Sequence, residues 1–173
     1  MDEKSVAGRP AGLWRRLAAL LYDLLLVIAL AFAATFAFLP FTHGEAILAS
    51  TQGALGYVYR ALLLLLAFGY FGGSWTRSGQ TLGMKVWRIE LVTAAGDRLR
   101  WPGTLARFLL GTGISLLAVI GAWYLRRPAN ALAGAGAAAL VAPLALNFGW
   151  IPFNAARQSL QDLAGGARVQ RLP

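Results

Sequence analysis

The sequence predicts an all-α membrane protein, with four transmembrane helices and a small cytoplasmic β-hairpin between helices 2 and 3. Three observations carry that expectation: four long apolar runs, a charged fraction of only 13%, and basic residues gathered beside the run ends. The chain has 173 residues and is 58% hydrophobic, which excludes a disordered polymer. A helix needs about 20 apolar residues to cross about 30 Å of hydrocarbon. Runs near 17–39, 53–71, 108–125 and 131–151 meet that length, leaving a cytoplasmic loop at 72–107 and a cytoplasmic tail at 152–173. Residues 1–173 therefore read as a single membrane domain.

The first run is longer than the apolar core of about 7–15 residues found in cleavable signal peptides, so it is expected to remain as a helix. It carries Arg16 and Asp23 into apolar surroundings, where charges mark function by default. Their seven-residue spacing puts them on one helical face within about 20° and roughly 10 Å apart along the axis. The first outer loop, 40–52, holds His43 and Glu45 and no basic residue. The lone His43 lacks neighbours for a metal site and reads as a solvated loop residue.

Helix 2 carries Arg60, flanked by Tyr57 and Tyr59. Two roles fit it: a charge partner for Asp23 on the antiparallel first helix, or a side chain that snorkels to the outer interface. In the loop that follows, Val86 to Val92 is β-prone, Ala94-Ala95-Gly96-Asp97 is a turn, and Arg98-Leu99-Arg100 is a short return; together they predict the hairpin. Trp101-Pro102-Gly103-Thr104 looks like a helix start, with Thr104 as its cap and Arg107 at the headgroup level. Helix 4 is crowded with alanine and glycine, and Gly134 and Ala138 have small-xxx-small spacing for close packing. That face serves either the bundle itself or a partner subunit.

The net charge of +9 resides in sixteen Lys and Arg residues, which follow topology rather than nucleic acid. With the N-terminus inside, thirteen of them lie on the cytoplasmic side; Arg126 and Arg127 lie outside and Arg60 within a span. Both termini are thus expected in the cytoplasm. Trp14, Trp75, Trp101 and Trp150 mark the inner interface, and Trp123 and Tyr124 the outer one. Arg15, Arg16, Arg107 and Arg157 gather at the inner boundary, as an anionic-headgroup pocket or as the ordinary positive-inside bias. With no cysteine, disulfides and thiolate chemistry are excluded.

Three features together resemble the RDD family of bacterial integral membrane proteins. These are Arg16 and Asp23 in the first span, Gly79-Gln80-Thr81-Leu82-Gly83-Met84-Lys85 before a β-prone stretch, and the tail Arg157-Gln158-Ser159-Leu160-Gln161-Asp162-Leu163-Ala164-Gly165. The family's three letters fall here on Arg16, Asp23 and Asp162. The chain departs from the family pattern at Gln161, where a histidine is frequent, and at Gly166, where a threonine is. The resemblance implies a bacterial inner-membrane protein, and some members are associated with monovalent cation/proton antiport.

Asp23 admits two readings, a titrating ion site or a fixed structural partner of an arginine. Asp162 is expected to dock its tail helix on Arg16, Arg107 or Arg157. No nucleophile, paired-carboxylate or metal pattern is present, so no enzyme activity, cofactor or metal is expected. The functional expectation is a non-catalytic accessory or scaffold subunit, with an antiporter using Asp23 as the alternative. The expected partners are a bilayer with anionic headgroups and a membrane protein or second copy of the chain.

Overall fold

In a computed structural model, the described residues are 8–42, 53–126, 130–153 and 157–172. His43, Glu45 and Arg127 fall outside them. Four long helices carry the fold: α1 (Leu13–Phe38), α2 (Ala54–Arg77), α4 (Trp101–Leu125) and α5 (Ala131–Gly149). Each is long and apolar enough to cross a membrane, with window hydropathies of 1.6 to 2.5. Leu25, Phe32 and Phe36 on α1, Leu65 on α2 and Val119 on α4 are exposed, so the surface that these helices present suits lipid rather than water.

Short elements close one end of the bundle. These are α3 (Leu82–Val86), β1 (Ile89–Thr93), α6 (Leu160–Ala164) and β2 (Ala167–Arg171). The first turns of α1 and α4 and the last turns of α2 and α5 converge on this cap, where Ala11, Trp75, Met84, Leu91 and Val169 build a buried apolar cluster. In the membrane windows of the four helices, at most 17% of residues are buried. The tightest core thus lies at the capped end.

The small antiparallel sheet exists, but its pairing differs from the expected hairpin. β1 pairs with β2 from the tail, Glu90 opposite Gln170 and Leu91 opposite Val169, while Arg98-Leu99-Arg100 is not a strand. The turn at Ala94 to Gly96 forms, and the Leu99 side chain then enters the core beneath the sheet. β2 matches β1 in alternation, with Val169 opposite Leu91 and Ala167 opposite Thr93, and it buries Ala167 and Val169 in the same core as Ile89 and Leu91; three residues with two arginines cannot do the same.

Helix bounds also shift. α2 continues to Arg77 and α4 begins at Trp101, with both end residues exposed and Trp75 and Thr104 buried just inside them. Arg100 is the N-cap of α4 and Pro102 occupies its first turn, where a missing N–H has no cost. Thr104, expected to cap, instead sits inside the helix and donates its hydroxyl to the Trp101 carbonyl. Trp75, expected at the interface, is buried.

The small-residue face of α5 divides. Ala137 is buried against α4, where a Cβ on Gly121 would lie 2.6 Å from the Ala137 carbonyl oxygen, so only glycine permits this approach. Gly134 is half-buried on that side, while Gly136, Ala138 and Ala139 face outward.

Candidate functional site

The polar residues of the capped end form two adjoining clusters. The first centres on Asp23, only 3% exposed on α1. Thr81 donates its hydroxyl to Oδ2 at 2.5 Å, Tyr70 donates its hydroxyl to Oδ1 at 2.7 Å, and the Gly83 N–H donates to Oδ1 at 2.8 Å. Thr81 is at the same time the N-cap of α3, accepting from the Met84 N–H. Gly83 is required for contact, since an added Cβ would strike the Ala19 carbonyl and the Asp23 carboxyl. Gly79, at φ +70°, supplies the left-handed turn that delivers this segment from α2 to α1.

Among the described residues Asp23 has no ion-pair partner. Arg60, one of its expected partners, packs its guanidinium over the Tyr57 ring at 5.8 Å. Geometry explains the separation: Asp23 bonds Tyr70, ten residues further along α2, which is about 15 Å of helix away from Arg60.

The second cluster centres on Asp162, which is fully buried. Arg16 Nη1 donates to its Oδ2 at 2.5 Å, and Arg107 forms an ion pair with its Oδ1. Ser159 and Asp162 complete a reciprocal capping box at the start of α6, the Ser159 N–H donating to Oδ2 at 3.0 Å. Arg16 also donates to the backbone carbonyls of Arg157 at 2.5 Å and Ala11 at 3.2 Å. Arg107 lies over the Trp75 ring, 5.0 Å from its centroid. One carboxylate therefore ties α1, α4 and α6 together. Of the three arginines expected to hold Asp162, Arg16 and Arg107 do so, whereas Arg157 contributes its carbonyl to Arg16 and turns its side chain elsewhere.

A cavity of about 390 Å³ runs between the helices beside both clusters. Leu24, Leu64 and Leu116 supply apolar wall, and Asp23, Arg107 and Asn147 reach it at the capped end. Asn147 is buried and accepts from the Gln161 N–H at 3.4 Å.

Sequence reading missed Tyr70, Thr81, Trp75 and Ser159 as parts of the site. Ser159-x-x-Asp162 and Thr81 three residues before Met84 are helix-start signatures that could have been read. Nothing in the sequence distinguishes Tyr70 from an interfacial tyrosine.

A cap held on four apolar helices by two buried arginines and two buried aspartates defines a polytopic membrane protein with a polar lock at one end. The RDD family model matches residues 10–166, so the chain belongs to the RDD family. No curated protein and no solved structure matches the chain.

Proposed function

We propose that this protein is a non-catalytic accessory or scaffold subunit in a bacterial inner membrane, with both termini and the cap in the cytoplasm. The observation that supports this reading is the use of the signature charges: Asp23 accepts from three donors and Asp162 from two guanidiniums, all within the fold. Carboxylates engaged in this way hold a rigid platform. Orientation follows from the basic asymmetry of the sequence, since Arg77, Lys85, Arg88, Arg98 and Arg100 all lie between α2 and α4.

The outward face of α5 is the surface for a membrane partner, or for a second copy, because Gly136 has open space around it. Purification in mild detergent, followed by identification of co-purifying chains, tests the reading. A stoichiometric partner is expected, released by Gly136→Leu without loss of the folded subunit. A solitary chain in native membranes overturns it.

Monovalent cation/proton antiport at Asp23 is the second reading, favoured by the contact of Asp23 with the cavity. It requires proton flux driven by a cation gradient in proteoliposomes, abolished by Asp23→Asn. Absence of flux with every alkali cation removes it.

A further inference from the structure

We propose that the groove at the start of α1 binds the phosphate of an anionic phospholipid from the bilayer leaflet that the cap adjoins. Arg9, Arg15, Arg157 and Arg171 line this groove, about 710 Å³ in volume, and among the described residues no acidic side chain does. None of the four has an ion pair among the described residues. Four guanidiniums sharing one groove repel one another, and an anion placed among them relieves that repulsion. Guanidiniums match phosphate oxygens through paired N–H donors, the geometry in which arginine surpasses lysine.

The backbone adds to the same field. Gly12 caps α1 without a side-chain acceptor, and the first turn contains no acid, so the positive end of a 26-residue helix opens into the groove uncompensated. Arg157 lies against that end: a Cβ on Gly12 would be 3.7 Å from its Nη1. Arg157 also holds a left-handed backbone, φ +48°, which a non-glycine residue adopts only when its surroundings impose it. The imposing contact is the Arg157 carbonyl, fixed by the buried Arg16. The Asp162 lock therefore aims Arg157 away from itself and into the groove. Arg15 is oriented as well, donating from Nη1 to the Trp87 carbonyl at 3.0 Å.

The source of the phosphate follows from Trp14. It lines the groove, is 82% exposed, and sits in the first turn of a membrane-crossing helix, the depth at which tryptophan meets lipid headgroups. A soluble phosphate compound has no need of an exposed indole beside it. The lipid site requires neither the accessory nor the antiport reading to hold, although the Arg16 contact that places Arg157 belongs to the Asp162 lock.

Native mass spectrometry of the full chain, released from nanodiscs of equal phosphatidylglycerol and phosphatidylcholine, tests the assignment. One phosphatidylglycerol is expected to remain bound, retained at least fivefold over phosphatidylcholine. Arg157→Gln and Arg9→Gln should each reduce that retention about three- to tenfold with unchanged melting, while Arg126→Gln at the far end of α4 leaves it intact. Equal retention of the two lipids, or full retention in both groove variants, overturns the proposal. Displacement of the lipid by an equimolar amount of inorganic phosphate assigns the groove to a free anion and also overturns it.

Discussion

Asp162 accepts from two guanidiniums and the Ser159 N–H in a site without solvent access, so its removal leaves Arg16 and Arg107 facing each other uncompensated. Breaking a buried pair in this way costs about 3–5 kcal/mol, more than the pair's net worth, because the remaining charge is stranded. Asp162→Ala should therefore lower stability in detergent by about that amount, read as a fall in the thermal midpoint, and expose the tail to protease after Arg157. Asp97→Ala, in an exposed turn, serves as the control, and equal behaviour of the two variants would refute the lock. Thr81 acts twice, as donor to Asp23 and as cap acceptor for Met84. Thr81→Val, nearly isosteric, should cost about 1–3 kcal/mol. Ser115→Ala, whose exposed hydroxyl bonds its own helix at Gly111, should change little. Arg16 and Asp23 stand out in the sequence because charges beside apolar runs are conspicuous, and Asp162 stands out through the family resemblance. The hydrogen-bond partners of Asp23 were not legible, because Tyr70 and Gly83 approach it through a fold that local spacing does not encode.

Elements were legible where periodicity is local and illegible where pairing is distant. The four helices follow from run length, and β1 from its β-branched and apolar alternation. The partner of β1 lies about eighty residues away, and nothing nearby in sequence points to it; a turn at Ala94 to Gly96 invites the wrong return strand. The true ladder makes a direct prediction, since facing residues of an antiparallel pair lie about 4.5–5.5 Å apart at Cα, within disulfide range. In this cysteine-free chain, Glu90→Cys with Gln170→Cys should form a disulfide under mild oxidation, whereas Glu90→Cys with Arg100→Cys should not. The reverse result would restore the local hairpin. Helix crossings obey similar logic: Gly121→Ala must push α4 away from Ala137 and should destabilise the α4–α5 pair, while Gly136→Ala enters open space and should be neutral.

Across the whole molecule, apolar burial and membrane contact are separated. Lipid is as apolar as leucine, so the membrane halves of the helices gain little by associating, and few of their residues are buried. The cap, with a water-type core and two buried polar clusters, supplies the cohesion that the bilayer does not. This architecture requires the segments at Pro10, Asp97 and Arg171 to share one side of the membrane, since Pro10 bridges Gln170 and β1 pairs with β2. Arg126 follows the 25-residue α4, whose first turns lie in the cap, so a membrane-crossing α4 puts Arg126 on the other side. The proposed orientation, drawn from the basic asymmetry, has the cap in the cytoplasm. An impermeant maleimide should accordingly label Arg126→Cys in intact cells and leave Asp97→Cys and Arg171→Cys untouched, with the pattern inverted in inside-out vesicles. If Asp97→Cys and Arg171→Cys labelled from opposite sides, the shared cap would be wrong. If both labelled in intact cells and Arg126→Cys did not, the cap would stand and only its orientation would be reversed, because the ladder and the Asp162 lock are indifferent to which side they face.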